Sequence, residues 1–297
     1  MTASLLITGV SGYTGAEACR YFASKGYSVT GMVRKARESA EGVCYAACDL
    51  LCKEEMNRLI ETQKPDYILH LAGDNHAGDS WQRPLGVLET NVNGTLNLME
   101  AVRRYSPATR ILVAGSMIDY DPCKMESPNH PYGVTKYLQT FTAKCWGHLY
   151  DMDIVIARPS NLIGPGDSSG ICALLASKLV EMEHGPGKGK LEIHNLKSQR
   201  DFLDVRDVVR AYEILLLKGK SLQDYSIGSG VSRTLGEVAE NLVKLTDAEV
   251  EVSHSLEEAE APFLVDCSKM ESLGWSPGIT FQQSMKDILA YYRSRSC

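Results

Sequence analysis

The sequence lacks long apolar runs and any excess of positive charge. No stretch reaches the ~18 consecutive apolar residues that a transmembrane helix needs, so no membrane partner is expected. The 297 residues carry a formal net charge of −6 and no basic stripe, so no nucleic-acid partner is expected either. The first predicted strand begins within a few residues of Met1, which leaves no room for a signal peptide and predicts a cytoplasmic protein.

Histidine and cysteine also lack the spacing of a metal site. The seven histidines show no ligand pattern, so no metal is expected. The nine cysteines are scattered and odd in number, which fits a reducing cytosol better than a disulfide framework. Cys44, Cys48 and Cys52 recur every four residues and could form a metal or cluster site, but no histidine flanks them. Small apolar fillers around a strand end are the favoured interpretation.

The sequence does contain a regular alternation of strand and helix patterns. This alternation predicts an α/β protein with a parallel sheet and helices on both faces. After a first strand that begins at Ser4, strands are predicted over 28–33, 43–47, 67–73, 110–114, 191–194 and 224–227. Helices are predicted over 16–25, 53–62, 85–105, 132–149, 171–184, 207–218, 234–246, 268–273 and 280–293, and residues 74–84 are predicted to be a loop.

The opening stretch carries a glycine-rich turn between a strand and a helix. Glycines at 9, 12 and 15 leave no side chains where the backbone must bend and a ligand must approach. The helix would offer its free N–H groups and the positive end of its dipole to a pyrophosphate. Glycine also collects in ordinary tight turns, but a strand before and a helix after favour nucleotide binding. The predicted cofactor contacts here are Gly9, Ser11, Gly12, Tyr13, Thr14 and Gly15.

Other candidate residues follow the carboxyl ends of predicted strands, where ligands bind in parallel α/β sheets. Arg34-Lys35 stands where NAD-binding folds usually place an acid for the ribose 2′-hydroxyl. A cation suits the 2′-phosphate of NADP instead, so NADP(H) is favoured over NAD(H), and a solvated charge pair is the alternative. Asp49 could accept a hydrogen bond from an adenine amino group or cap the next helix. Ala72, Gly73 and Ser116 also fall at such ends.

A tyrosine and a lysine lie four residues apart on the helix that Pro131 opens. This spacing puts Tyr132 and Lys136 on one helix face. An ammonium near a phenol favours the phenolate, so the pKa of Tyr132 is predicted to fall from ~10 toward neutrality. The tyrosine could then exchange a proton with an alcohol or ketone oxygen that Ser116 holds. A pair of solvated face residues is the alternative, and the glycine turn and Ser116 argue against it.

These residues resemble those of the extended short-chain dehydrogenase/reductase family, in its nucleotide-sugar branch. The resemblance spans nearly the full chain and also involves residues 71–73, 91–95, 158–166 and 200–209, of which the last two look most like GDP-4-keto-6-deoxy-mannose reductases. It implies a Rossmann-type doubly wound parallel sheet with a smaller α/β substrate-binding C-terminal domain. The expected domains are residues 1–160, with a returning segment near 200–218, and mainly 161–297.

The resemblance also implies roles for individual residues. Ser116, Tyr132 and Lys136 become the catalytic triad, with Lys136 also holding the nicotinamide ribose. Arg200 would grip the diphosphate of the substrate, for which a planar cation is apt, or would pair with Asp201 or Asp204. The remaining implied contacts are, for the cofactor, Leu50, Leu71, Asn91, Tyr132, Lys136 and Pro159, and, for the substrate, Ser80, Ser116, Asn161 (or a turn residue) and Asn195.

Departures from the family pattern bear on the reaction. Sugar 4,6-dehydratases of the family keep an acid within two residues of the strand-end serine or threonine, where this chain has Met117 and Ile118. These side chains cannot move a proton, and Asp119 lies one position further. Asp121 replaces a usual glycine, which suggests an unusual sugar pocket. Ala261-Pro262 replaces a usual Arg-Pro pair, which removes one expected diphosphate or ribose contact.

The sequence therefore predicts an NADPH-dependent reductase for the keto group of a 4-keto-6-deoxy nucleotide sugar, with a GDP-linked substrate favoured. A nucleotide-sugar 4-epimerase or 4,6-dehydratase is the alternative, and a non-catalytic dinucleotide-binding sensor is a second one. The resemblance also implies a homodimer formed through helices 85–105 and 132–149. The apolar stripe on the first of these helices could equally be buried within one chain.

Overall fold

The computed structural model describes residues 2–40, 42–75, 77–118, 120, 122–123, 127–128, 130–185 and 187–296. Asp119 and Asp121 lie outside the described residues. The chain divides into two compact units, Met1–Pro159 with Val209–Tyr225, and Ser160–Val208 with Ser226–Cys297. The segment that returns to the first unit is thus 209–225 rather than 200–218, because residues 199–204 form a strand of the second unit.

A seven-stranded parallel sheet forms the centre of the first unit, in the order β10-β6-β5-β4-β1-β2-β3. The chain leaves β1 toward β2 on one side and later returns to β4 on the other, so the order reverses at the end of β1. Ligands of such sheets bind at this switch point. The strands are β1 (Ser4–Thr8), β2 (Ser28–Val33), β3 (Val43–Ala47), β4 (Tyr67–His70), β5 (Arg110–Ala114), β6 (Ile154–Pro159) and β10 (Asp224–Ile227).

Helices cover the sheet of the first unit. Leu6, Ile68 and Ile111 are fully buried on neighbouring strands and pack with Leu98 and Met99 into one core. Strands buried on both faces are expected to be almost wholly apolar, as β4, β5 and β6 are. The helices are α1 (Tyr13–Ser24), α2 (Lys53–Gln63), α3 (Ala77–Gln82), α4 (Pro84–Leu88), α5 (Gly94–Tyr105) and α6 (Pro131–Tyr150).

The second unit has its own core around short strands and helices. Phe202 and Phe281 pack in it with Leu179, Leu191 and Val238. Strands β11, β9 and β7 form one small sheet, and β12 pairs in parallel with β8. Its elements are β7 (Asn161–Ile163), α7 (Ile171–His184), β8 (Gly189–Asn195), β9 (Gln199–Asp204), β11 (Ser232–Thr234), α9 (Leu235–Val243), β12 (Val250–Leu256), α10 (Ser268–Ser272) and α11 (Phe281–Arg295), while α8 (Val205–Lys218) continues from this unit into the first.

Several predicted elements differ from the structure. The predicted helix 85–105 is interrupted by a π-helical turn at Glu89–Asn93, and α1 begins at Tyr13 rather than residue 16. The predicted loop 74–84 contains α3, and strands β6, β7, β9, β11 and β12 were not predicted. The three-residue strands β7 and β11 are too short to show the alternation that a sequence pattern needs. Within the described residues, every helix is too short or too polar to span a membrane.

The apolar stripe on the predicted helix 85–105 is mostly buried within the chain. Met99 and Val102 are fully buried and Val92 nearly so. The alternative of burial within one chain therefore accounts for the stripe. The homodimer stays a prediction from the resemblance.

Candidate active site

The glycine turn follows β1 and is shaped by close backbone contacts. Gly9 has φ of +75°, a conformation that glycine adopts without a steric cost. A β-carbon on Gly9 would lie 2.7 Å from the Ala72 backbone nitrogen, and one on Gly15 would lie 2.7 Å from the Val10 Cα. The turn is closed by a hydrogen bond of 3.1 Å from the Gly12 nitrogen to the Gly9 carbonyl oxygen. Glycine is thus required at 9 and 15 by tight packing at the switch point.

The N-terminus of α1 fits an anionic group. Gly12 is the N-cap and has no side chain to cap the helix. The first turn contains no acidic residue, so the positive end of the helix dipole is not neutralised locally. A pyrophosphate would accept hydrogen bonds from the first-turn N–H groups, which have no partner inside the helix. The predicted contacts from Ser11 to Gly15 all lie in this turn.

The cations predicted to select NADP are exposed at the carboxyl end of β2. Arg34 and Lys35 are both exposed. A third cation, Arg37, follows them in the sequence, and its guanidinium group lies 3.6 Å from the centre of the Tyr45 ring. The sequence interpretation missed Arg37, although its distance of three residues from Arg34 offered a signal. Asp49 is exposed at the end of β3, and its Oδ1 accepts a hydrogen bond from the Leu51 nitrogen.

The other predicted cofactor residues lie at the same edge of the sheet. The N-cap of α2 is Cys52, so Asp49 stabilises the turn after β3 instead of capping that helix. Leu50 is buried, residues 71–73 follow β4 and are half-buried, and Pro159 ends β6. Gly73 packs closely on Asn91, since an added β-carbon would lie 2.8 Å from the Asn91 Oδ1.

Asn91 lies fully buried in the π-helical turn and bonds to protein groups. Its Oδ1 accepts from the Asp74 nitrogen at 2.7 Å, and its Nδ2 donates to the Thr135 Oγ1 at 3.0 Å. Thr135 in turn donates to the Tyr132 carbonyl oxygen at 2.9 Å. Asn91 therefore braces the first turn of α6, and the cofactor contact predicted for it stays a prediction.

Ser116 and Tyr132 come together beyond the end of β5. Tyr132 lies in the first turn of α6, where Pro131 follows the N-cap His130 and the His130 Nδ1 accepts from the Tyr132 nitrogen at 3.0 Å. Both side chains are buried, and a side-chain hydrogen bond joins them. Burial raises the pKa of Tyr132, and the hydrogen bond from Ser116 opposes that rise in part. The phenol is therefore a proton donor at neutral pH.

Lys136 lies one turn further along α6, but its ammonium group does not lower the pKa of Tyr132 as the sequence predicted. Its Nζ donates to the Ala114 carbonyl oxygen at 2.7 Å and to the Gln139 Oε1 at 2.5 Å. Burial lowers the pKa of Lys136 to about 7. The prediction of a tyrosine with a lowered pKa does not hold in this structure, because burial dominates at both groups.

His70 is buried beside Lys136 and stays neutral. Burial and then the Lys136 charge lower its pKa to about 3 from 6.5. In the unfolded chain His70 binds a proton below its ordinary pKa, whereas in the folded chain it does not. The free energy of unfolding therefore carries the full contribution of His70 above pH ~6.5 and loses it as the pH falls toward 3.

We expect the contribution of His70 to the free energy of unfolding to fall by about 1.4 kcal/mol for each pH unit as the pH drops from ~6 to ~4. Urea unfolding across this range should show that the free energy of unfolding falls less steeply with decreasing pH in H70Q than in the wild type. The difference between the two slopes should correspond to about one bound proton. The exposed His194 gives the control variant H194Q, whose slope should match the wild type. Equal slopes for H70Q and the wild type would contradict a neutral His70.

The second unit holds most of the residues predicted to contact substrate. Arg200 is about 39% exposed, and its Nη1 donates to the Gln199 carbonyl oxygen at 2.6 Å and the Glu260 Oε2 at 2.9 Å. Its ion-pair partner is therefore Glu260, not Asp201 or Asp204 as the alternative interpretation had it. Asp201 accepts from Ser229 and Asp204 from Arg206. Glu260 lies beside the Ala261-Pro262 departure.

The remaining predicted substrate residues bond within their own units. The Asn161 Nδ2 donates to the Asp201 carbonyl oxygen at 3.0 Å, and the Asn195 Nδ2 donates to the Glu258 carbonyl oxygen at 2.8 Å. Ser80 lies in α3 of the first unit with its side chain fully buried.

The three evenly spaced cysteines do not share one environment. Cys48 belongs to the core of the first unit, and burial raises its pKa to about 12. Cys44 is exposed and Cys52 is half-buried. Over the part of the chain that the structure describes, no three histidine, cysteine, aspartate or glutamate side chains form a group that could hold a metal ion.

A glycine turn at the switch point, together with a hydrogen-bonded serine and tyrosine beyond the end of β5, is typical of a dinucleotide-dependent enzyme that moves hydride and a proton. Comparison with known proteins leads to the same class. Over residues 5–228 the chain matches the NAD dependent epimerase/dehydratase family, and it belongs to this family. It is an NAD(P)-dependent oxidoreductase of the short-chain dehydrogenase/reductase type.

Individual relatives carry several activities. The GDP-6-deoxy-D-mannose reductase of Pseudomonas aeruginosa is 28% identical over 99% of both chains. The human dTDP-D-glucose 4,6-dehydratase is 27% identical over 79% of this chain and 71% of its own. The solved structure of RMD from Pseudomonas aeruginosa complexed with NADPH has a TM-score of 0.85 and 27% identity, and covers 99% of this chain and 100% of that chain. The Thermus thermophilus UDP-glucose 4-epimerase complexed with NAD (TM-score 0.82, 23% identity, 98% and 99% covered) is alike in fold.

Proposed function

We propose that this protein catalyses the NADPH-dependent reduction of the keto group of a 4-keto-6-deoxy nucleotide sugar. The observation that carries the proposal is the buried Ser116–Tyr132 pair, in which the phenol keeps its proton at neutral pH. Reduction of a ketone consumes a proton as well as a hydride, so a protonated tyrosine is the state that this direction needs.

Each residue of the pair has a separate task in this reaction. Bound NADPH supplies the hydride. Tyr132 donates its hydroxyl proton to the oxygen of the substrate, and Ser116 donates a hydrogen bond that orients the same oxygen. Lys136 places a buried, partly charged ammonium group one helical turn away, where the family resemblance gives it the nicotinamide ribose of the cofactor to hold.

The positions after Ser116 argue against dehydration. A 4,6-dehydratase needs an acid there to take a proton from the sugar, and Met117 and Ile118 have no group that ionises. Ile118 is about 47% exposed, and the Ile118 nitrogen donates to the Ser116 Oγ at 2.9 Å. Hydride transfer with one proton donor requires only the groups that are present.

The substrate class follows from the relatives and from Arg200. The Pseudomonas aeruginosa relative is named for a GDP-linked deoxymannose, and the other named relatives act on nucleotide sugars, so we favour a GDP-linked substrate. The contacts of Arg200 with Gln199 and Glu260 engage only part of its five N–H donors, which leaves donors for a diphosphate oxygen. We also expect a homodimer, as the family resemblance implies.

A substrate panel tests the proposed reaction. Purified protein is mixed with NADPH and, in turn, with GDP-, UDP- and dTDP-linked 4-keto-6-deoxy sugars, while the absorbance of NADPH is followed. We expect oxidation of NADPH with at least one GDP-linked member. Failure with every member would overturn the reductase proposal, and turnover without added cofactor would indicate an epimerase or a dehydratase instead.

The preference for NADPH can be tested at the end of β2. We expect the double variant R34A/K35A to bind NADPH about 10- to 100-fold more weakly and NADH almost unchanged, because charge-assisted hydrogen bonds to the 2′-phosphate are lost. Fluorescence titration with each cofactor measures both affinities. K178A, which removes an exposed lysine of α7, is the control and should bind both like the wild type. Equal weakening for NADPH and NADH would show that these cations do not read the 2′-phosphate.

A further inference from the structure

A line of buried polar side chains runs from Lys136 to the end of β1. The Gln139 Oε1 accepts from Lys136, and the Gln139 Nε2 donates to the Thr95 Oγ1 at 2.9 Å. The Thr95 Oγ1 lies 2.8 Å from the His70 Nε2, and the His70 Nδ1 lies 2.8 Å from the Thr8 Oγ1. Gln139, Thr95, His70 and Thr8 are all fully buried. Such a network is stable only if every member is satisfied.

The hydrogen atoms of this line can be assigned in one consistent way. The Thr95 hydroxyl donates to the Asn91 carbonyl oxygen at 2.6 Å, so its other two contacts must be acceptances. The Thr95 oxygen therefore accepts from the Gln139 Nε2 and from the His70 Nε2. Histidine carries one ring proton when neutral, and here it lies on Nε2.

The other end of the line agrees with this assignment. The His70 Nδ1 must accept, so the Thr8 hydroxyl donates to it. The Thr8 oxygen can then accept from the Ala72 nitrogen, which lies 3.0 Å away. No donor in the line faces another donor except Gln139 Nε2 and His70 Nε2, which are 3.5 Å apart and both directed at Thr95.

This assignment determines which end of the Gln139 amide faces Lys136. The amide nitrogen is held by Thr95, so the carbonyl oxygen must point to the ammonium group. A flipped amide would put NH₂ hydrogens against the ammonium hydrogens. The charge of Lys136 acts on His70 on β4, and no acidic side chain among the described residues shifts the pKa of Lys136. Gln139 thus binds the ammonium group without neutralising its charge.

We propose that Gln139 is a positioning residue: Thr95 orients its amide, and its neutral carbonyl group then aims the Lys136 ammonium group and leaves the charge of that group unbalanced, one helical turn from Tyr132. A carboxylate at residue 139 would bind the ammonium more strongly, but would cancel the positive charge and make the lysine hard to deprotonate. The inference rests on the proposed function, because that function gives Lys136 its task.

The pKa of Lys136 tests the proposal without any substrate. The full chain is labelled with ¹³C at the lysine Cε, the K136A variant identifies the signal, and the signal is titrated by NMR. We expect Q139E to raise the pKa of Lys136 by more than one unit, because a negative charge in contact favours the ammonium form. Q139M should lower this pKa, because the charged form loses a hydrogen bond.

Two further variants keep this test decisive. T95V removes the acceptor that orients the Gln139 amide, so the pKa of Lys136 should fall in T95V as in Q139M, and these two variants carry the test if Q139E does not fold. T142V is the control, since the Thr142 hydroxyl bonds only to carbonyl oxygens of its own helix, at 2.7 Å and 3.1 Å. A pKa within 0.3 units of the wild type in Q139E, Q139M and T95V alike would overturn the proposal.

The pH dependence of kcat is the second readout, with whichever substrate the panel identifies. We expect the alkaline limb to move to higher pH in Q139E and to lower pH in Q139M, with NADPH affinity within about threefold of the wild type. If Gln139 had a purely structural role, kcat would be lower in both variants and the alkaline limb of its pH dependence would not move. That result would refute the proposal. If the wild type turns over no substrate, the proposed function fails, and the NMR result still decides the role of Gln139.

Discussion

Replacing Tyr132 with phenylalanine is expected to lower kcat by about 10²- to 10⁴-fold, because it removes the proton that Tyr132 would donate to the keto oxygen. The ring of phenylalanine fills the same buried space, so the free energy of unfolding and the NADPH affinity should change little. Stopped-flow measurement of NADPH oxidation gives kcat, and fluorescence titration gives the affinity. Burial raises the pKa of Tyr132, so loss of the phenol proton should not limit the wild-type rate at neutral pH.

Tyr150 offers the matched control for this substitution. It lies at the far end of the same helix, about 27 Å from Tyr132 for a rise of 1.5 Å per residue. Y150F should keep the wild-type rate. If kcat of Y132F were within a fewfold of the wild-type value, Tyr132 would not be the proton donor. If Y132F no longer bound NADPH, Tyr132 would have a structural role instead.

Replacing Gly15 with alanine is expected to prevent cofactor binding and to destabilise the first unit. The added β-carbon would collide with the Gly9 carbonyl oxygen and lie 2.7 Å from the Val10 Cα, both of which are backbone atoms of the turn. The turn must open, which moves the N-terminus of α1 away from the position that a pyrophosphate needs. We expect the free energy of unfolding to fall by about 1–3 kcal/mol and NADPH affinity to fall more than 100-fold.

A second glycine-to-alanine change separates this effect from helix propensity. Gly86 lies in α4, and a β-carbon there would meet no described atom within 4 Å. G86A should leave NADPH affinity unchanged and stabilise the protein by up to about 1 kcal/mol, because alanine favours a helix over glycine. Chemical unfolding and fluorescence titration of both variants provide the comparison. Wild-type affinity in G15A would show that the turn does not cradle the cofactor.

Much of the first unit could be predicted because its elements follow simple patterns. The bounds of β2, β3 and β5 match the predicted residues, since apolar runs and turn residues mark both ends. The π-helical turn at Glu89–Asn93 was not predicted, because it differs from an α-helix by one residue in hydrogen-bond spacing and leaves the apolar periodicity almost unchanged. Strands β7 and β11 of the second unit were missed for a related reason, since strands of three residues carry no detectable period.

Side-chain partners across the fold were less accessible to prediction than side-chain positions. The sequence places Tyr132 and Lys136 on one helix face, but the effect of burial on their pKa values depends on everything packed around them. The prediction that Lys136 lowers the pKa of Tyr132 was wrong for this reason. The pairing of Arg200 with Glu260 joins residues 60 positions apart, and nothing in the local pattern connects them.

The sequence by itself determined the glycine turn, the alternation of strands and helices, and the residue types near the end of each strand, because these are local properties of the chain. Only the tertiary structure decided which protons and charges the site holds. The buried line from Lys136 through Gln139, Thr95 and His70 to Thr8 joins two helices and two strands that are distant in sequence. Desolvation acts on a group through all of its neighbours at once, and those neighbours exist only in the folded chain.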